Sequence, residues 1–410
     1  MSRIPALPAD HLTPELLAAW SWHRQGLDGA AEGLAPEEVF SRYGWARSVG
    51  GGNPYLTLFS RAGIRRQEAD VALQELRIHE LPSARGCAYV LGREHFALAL
   101  QSGRDSGAGE LRVLEKLGVE ATEIDALAED VVTALDGSAV PLDPQQLREV
   151  LGEKVRSLGE EGRKKGASTT LPATLGMLQR EGRIRRVPPS GRLDQQRFGY
   201  TNWDLPLSEL DEDGARTKLL RLHLSWTGGA SLKESQWFSG FTVAQSKKAL
   251  AAIGALELTT AEGTQRWMLA EDVEALAAFR PEATPRVRLL ANSDALVLLR
   301  RNAPELIADP AIADEILRGG SALSADLDDH PVVDRGQIIG LWHFDPDAGR
   351  IAAWLFPDLE QAQEDAARAE IARTGEWIAE DLGDFRSNSL DSPKGRRKRI
   401  DHLNALAGRG

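Results

Sequence analysis

Cysteine is almost missing from this chain: Cys87 is the only one in 410 residues. That excludes an internal disulfide, and Cys87 reads as a small buried apolar residue rather than a nucleophile. The eight histidines (11, 23, 79, 95, 223, 330, 343 and 402) never stand three or four apart, so a helical zinc site has no ligand pair, and neither a metal nor a cofactor is expected. His79-Glu80 opens like a zincin motif, but position 83 is Ser83 and Pro82 would break the helix. Glu209, Asp211, Asp213 and Gly214 imitate the start of a calcium loop, yet Leu220 stands where the bidentate glutamate belongs. There is no Gly-x-x-x-x-Gly-Lys-Ser/Thr loop, no dinucleotide fingerprint after a strand and no Gly-x-Ser-x-Gly elbow. Long hydrophobic runs are also missing. No stretch approaches the roughly 20 apolar residues of a membrane helix, and the N-terminus lacks the basic-then-apolar layout of a secretory signal. A cytoplasmic protein is expected, nucleoid-associated in a bacterial cell.

Positive charge is scarce overall, with 49 Lys and Arg against 61 Asp and Glu and a formal charge of −12. One segment opposes that balance. Between Arg180 and Arg197 stand six arginines (Arg180, Arg183, Arg185, Arg186, Arg192 and Arg197) against only Glu181 and Asp194, and Lys164 and Lys165 lie just upstream. The same segment has a helical apolar spacing at Leu171, Leu175, Met177 and Leu178, with Ser168 or Thr169 as N-cap. Gly182 stops the helix, and two short strands follow around Pro188-Pro189-Ser190-Gly191. That is the layout of a recognition helix and its wing, and a basic helix-plus-hairpin in an acidic chain is the expected footprint of duplex DNA binding. The acidic remainder confines such binding to one face.

The length favours several units, and the pattern divides the chain into five. Residues 1–138 are mainly helical, with an extended pair over Ile78 to Leu91. Residues 139–206 form the unit just described, its first helix spanning Pro144 to Leu158 and followed by a charged turn. Residues 214–280 repeat helix, helix, helix, hairpin. Residues 281–357 alternate with period two over Arg286 to Leu299 and Gln337 to Phe356, around the turn Asp345 to Gly349, as in a small antiparallel β domain. Residues 358–410 hold an acidic helix and a basic, solvated tail with Lys394, Arg396, Arg397, Lys398 and Arg399. The fold class is therefore mainly α with small β hairpins: tandem winged helix-turn-helix units plus a C-terminal antiparallel β-barrel-like domain. Trp20 and most of the ten tryptophans read as core; Trp22, beside His23 and Arg24, reads as core or as a base-stacking residue.

Several stretches resemble one family: Arg24-Gln25-Gly26-Leu27, Leu81-Pro82-Ser83-Ala84-Arg85-Gly86 with Tyr89-Val90-Leu91, Pro285 to Leu290, Val332 to Gln337, and Ser239 to Val243 leading into Ala249 to Gly254. Over roughly residues 14 to 356 the chain resembles the winged-helix DNA glycosylases of the AlkZ type. The resemblance implies tandem winged helices and a β-barrel around a DNA-binding concavity, and excision of bulky alkylated or crosslinked purines. It also implies a catalytic motif of glutamine, a hydrophobic residue, then glutamine or aspartate. Counted without gaps from Gly44 to Arg61, that motif falls on Arg47, Ser48 and Val49, which offer no carboxamide or carboxylate to place a water or steady an oxocarbenium-like centre. Asn53 and Asp294 are the candidates to replace it.

The first reading is thus a DNA-binding, repair-related relative whose excision chemistry is lost or relocated. Its partner is double-stranded DNA, damaged or distorted, and the protein is expected to be a monomer. An active monofunctional glycosylase with a divergent site, a winged-helix transcription regulator and a protein-interaction module remain open. If four to six of the arginines between 180 and 197 contact phosphates, log affinity should fall against log salt with a slope of roughly −4 to −5. Anisotropy titrations of a labelled duplex measure it, and a flat response excludes DNA binding.

Overall fold

A computed structural model describes residues 8–195, 197–301, 303–317 and 327–408. The fold is mainly helical, with four small antiparallel sheets among the described residues. The first helix, Pro14–Arg24, starts where Thr13 accepts a hydrogen bond from the Leu16 amide and Pro14 fills the first turn. After the helix Pro36–Tyr43 comes β1 (Ala46–Arg47), and the hairpin β2 (Ile78–Pro82) and β3 (Ala88–Gly92) completes a sheet in the order β1-β3-β2. Val90 of β3 pairs with Ala46 on one side and Glu80 on the other. Between β1 and β2 the structure adds a helix that the sequence pattern hid, Asn53–Ala62, which Asn53 opens. Gly51 and Gly52 in front of it are explained by close approach: a Cβ on either would stand 2.4 Å from the Arg386 carbonyl or the Phe385 ring. The Gly52 amide donates to Arg386 O, and the Ser389 amide donates to Val49 O.

The middle of the chain keeps the expected element types and corrects their ends. The Pro144 helix stops at Leu151, where Gly152 has φ +56°, and the supposed charged turn is the end of the helix Gly159–Lys164. Neither Ser168 nor Thr169 caps the Leu171–Arg180 helix. Thr169 bridges Ser157, and Thr170 precedes the helix without a side-chain cap. The hairpin of β4 (Ile184–Val187) and β5 (Gly199–Asn202) is joined by a long loop, not a tight turn. Leu127, Val131 and Leu135 of the helix Ala121–Asp136 share one core with Leu147, Leu171, Leu175, Ile184 and Tyr200, across the boundary drawn at residue 138. The helices Glu212–Thr227, Leu232–Ser239 and Val243–Ile253 then lead into a second hairpin, β6 (Leu256–Thr259) and β7 (Gln265–Met268).

The C-terminal sheet is open: β8 (Val287–Leu289), β9 (His330–Asp334), β10 (Gln337–Asp345) and β11 (Arg350–Leu355) stand in the order β11-β10-β9-β8. The stretch 286–299 is not one strand, because Asp294 accepts from the Leu296 amide and starts the short helix Ala295–Leu298. The basic tail is only partly solvated: Lys394 and Lys398 are exposed, but the arginines are engaged. Its helix Pro393–Ala407 buries Ile400, Leu403 and Leu406, while Arg396 meets Asp384, Arg397 meets Asp345 and Asp347, and Arg399 meets Asp391. Cys87 is half-buried rather than buried, and both Trp20 and Trp22 are core. No described helix is long and apolar enough to cross a membrane.

One core joins the two ends of the chain, packing Phe40, Tyr55, Leu58 and Ile78 with Leu289, Val332, Trp342, Trp377 and Phe385. Beside it Arg61 and Asp294, each 1% exposed, form a bidentate pair at 2.8 Å for both contacts. Arg61 also donates to the Gln25 carbonyl and side-chain oxygens at 2.9 Å. Removing one partner of such a pair strands a buried charge. Arg61→Met should therefore lower the unfolding free energy by about 3–5 kcal/mol in urea titrations. Arg61→Met with Asp294→Leu should recover most of that loss; no recovery would mean that the pair itself, not the stranded carboxylate, carries the stability.

Candidate functional site

Strand pairing carries the expected motif position to the edge of a cleft of about 430 Å³. Arg47, Ser48 and Glu80 from the first sheet line one side. The opposite side is formed by Arg148, by Gln179 and Arg180 of the Leu171–Arg180 helix, and by Arg186 of β4 with Tyr200 of β5. Arg47 lies along the sheet, its guanidinium donating to Ala88 O at 2.8 Å and standing 5.7 Å from the Tyr89 ring centre. Ser48 donates to Glu80 at 2.5 Å, and the second oxygen of Glu80 is 3.5 Å from Arg186. Glu80 is only 8% exposed and reaches the cleft through that edge. Its neighbour His79 is fully buried among Trp203 and Phe96, and neither ring nitrogen has a partner. Burial, with a smaller contribution from Arg185, pushes the imidazole down to about 3, so it is neutral near pH 7 and offers no proton.

The other candidates are placed elsewhere. Asn53 donates to Arg47 O at 2.8 Å and to Ser293 O at 3.3 Å, so its amide holds the motif strand and is not free for a water. Asp294 is enclosed by Arg61 and the Leu296 amide, and does not line the cleft. Val49 is half-buried and tied to Ser389.

The arginine cluster divides. Arg180 and Arg186 line the cleft, Arg180 near Glu110 at 3.8 Å. Arg183 pairs with Glu129 on an outer surface. Arg185 is half-buried, and burial lowers its basicity. Arg192 is bound to Asp194 and to Leu382 O, beside Leu193, which sits in the main core with its amide donating to the Tyr55 hydroxyl. The loop between β4 and β5 is thus docked on the helix Asn53–Ala62. Arg197, Lys164 and Lys165 are exposed, Lys165 facing Glu161. Sequence reasoning missed Arg148 and Glu80. Arg148 is a lone arginine in a helix, and Glu80 stood only inside the rejected zincin pattern; a charged residue in a strand between Ile78 and Leu81 was the available signal.

Against this geometry, a family model described as DNA glycosylase AlkZ-like matches residues 47–396. The chain belongs to the AlkZ-like DNA glycosylase family. An interstrand DNA cross-link repair glycosylase of Streptomyces sahachiroi is 23% identical over 360 residues, covering 86% of this chain and 93% of that protein. The solved structure of the Streptomyces sahachiroi DNA glycosylase AlkZ shares the fold at a TM-score of 0.69 and 21% identity, over 91% of this chain and 97% of that one. Membership associates this AlkZ-like chain with DNA repair and implies DNA binding.

The pairing pattern separates two roles among the arginines. Arg148→Ala with Arg186→Ala should make the salt slope of duplex binding shallower by about 2 with little change in melting temperature. Arg192→Ala should cost about 1.5–3 kcal/mol of stability and leave the slope unchanged. The opposite assignment would place the DNA surface on the Arg192 side.

Proposed function

We propose that this AlkZ-like protein binds damaged duplex DNA across the cleft and hydrolyses an N-glycosidic bond with Glu80 in place of the missing motif carboxylate or amide. The observation that carries this reading is the Ser48–Glu80 pair at 2.5 Å, beside the motif position and facing Arg186. Excision is then relocated from the end of β1 to β2 of the same sheet rather than lost. In this reading the departing base takes the bonding electron pair, the carboxylate of Glu80 steadies the positive charge left at the sugar, and it accepts a proton as water adds. Ser48 holds the carboxylate in one rotamer. No histidine lines the cleft, which suits a base that already carries a positive charge, such as a bulky N7-alkylated or crosslinked guanine, because it leaves neutral without a proton donor.

The helix Leu171–Arg180 with β4 and β5, read as a winged helix, and the similar unit of β6 and β7 would seat the duplex. Arg148, Arg180 and Arg186 neutralise phosphates while the target nucleotide turns out of the stack. One chain supplies every unit, so a monomer suffices.

Single-turnover incubation with a duplex bearing a bulky N7-alkylguanine or an interstrand crosslink tests the assignment. Glu80→Gln should lower abasic-site formation by about 100-fold or more while binding stays within about threefold. Full activity in that variant removes Glu80 from the chemistry. Salt-sensitive binding without product in the unmodified protein would make it a non-catalytic DNA-binding relative.

A further inference from the structure

Trp237, half-buried in the helix Leu232–Ser239, is held between two guanidiniums. The Arg85 guanidinium carbon lies 3.6 Å from its ring centre and that of Arg301 lies 4.2 Å away, while the indole nitrogen donates to Leu298 O at 3.2 Å. Two cations this close to one ring centre do not fit on one face, so they occupy opposite faces. Both arginines have left-handed backbones, φ +59° at Arg85 and +53° at Arg301. Side chains with a Cβ rarely adopt that conformation, and such strain collects where a side chain must be aimed. The stem of Arg85 crosses Gly240, where a Cβ would stand 3.1 Å from its Cγ. Arg85 is exposed, and no carboxylate lies within ion-pairing distance of it among the described residues. It sits at the turn between β2 and β3, next to Gly86, which lines the cleft. Stacking uses only the face of the Arg85 guanidinium and leaves its in-plane N–H groups for a phosphate.

Resting on the DNA reading above, we propose that Arg85, stacked on Trp237 with Arg301 packed against the opposite face, clamps a phosphate of the duplex backbone where it leaves the cleft. The contact extends the Arg47 side of the cleft to the helical unit of residues 214–280, so DNA and the joint between the hairpin and the helix Leu232–Ser239 stabilise one another.

The test is the anisotropy of a labelled undamaged duplex with the full-length protein, from about 50 to 200 mM salt. Arg85→Gly retains a residue at ease at φ +59°, and Arg85→Gln retains the stem without the charge. Both should weaken binding about five- to tenfold and make the slope shallower by about 0.9, one phosphate's share, with the melting temperature of Arg85→Gly unchanged or raised. Unaltered binding by both variants, with normal binding by the unmodified protein, removes the clamp and leaves a packing staple between units. Failure of the unmodified protein to bind removes the clamp together with the DNA reading.

Discussion

The buried pair between Arg61 and Asp294 is the constraint on which the arrangement around the cleft depends. Its partners come from sites far apart in sequence: Gln25 at the end of the first helix, Arg61 on the helix that Asn53 opens, and Asp294 ahead of a short helix near the C-terminal sheet. A carboxylate and a guanidinium shut from water are costly unless each is fully bonded, so this contact tolerates little displacement of any element that contributes to it. The order propagates to the cleft. Ser293, next to Asp294, accepts from Asn53, and Asn53 also fixes the carbonyl of Arg47. A residue that resembles a divergent catalytic amide is thereby a positioning residue for the strand beside the cleft.

Charge is arranged by pairing more than by composition. The acidic excess is distributed as partners: Glu129 for Arg183, Asp194 for Arg192, Asp381 and Glu380 for Arg65, Asp345 for Arg397. The cleft is lined by Arg47, Arg148, Arg180 and Arg186 but only Glu80 and Glu110 as acids, which leaves a local positive surface in a chain of net charge −12. Such a surface attracts a polyanion at short range while the remainder repels it, which favours one docking orientation over general coating.

The neighbourhood of Glu80 shows how a sheet brings a carboxylate to a motif position that has none of its own. β1 and β2 flank β3, so residues some 30 positions apart meet, and the Ser48 hydroxyl reaches the Glu80 carboxylate across that sheet. Burying His79 without a partner beside it keeps the imidazole neutral and apolar in effect, so the carboxylate and the arginines dominate the electrostatics of the cleft.

Local pattern determined most element types, though not the helix Asn53–Ala62 or the break into a helix at Asp294. The helical spacing of Leu171, Leu175 and Leu178, the hairpin turn at Asp345 to Gly349 and the family resemblance around Arg24, Leu81 and Val332 were all readable, because periodicity, turn chemistry and short motifs are properties of neighbouring residues. Which charges are free was not readable. The six arginines between 180 and 197 form one cluster in sequence, but Arg183 and Arg192 meet acids from other elements and only Arg180 and Arg186 line the cleft. The tail arginines 396, 397 and 399 likewise looked solvated until the sheet, its turn and the segment before the last helix supplied Asp345, Asp347, Asp384 and Asp391. The sequence by itself determined helices, hairpins, the family and an improbable local excess of arginine. Tertiary structure alone decided that Asp294 is a buried anchor, that Asn53 is a clamp and that Glu80 faces the cleft, because each role is set by groups tens to hundreds of residues away, brought within 3 to 4 Å only by folding.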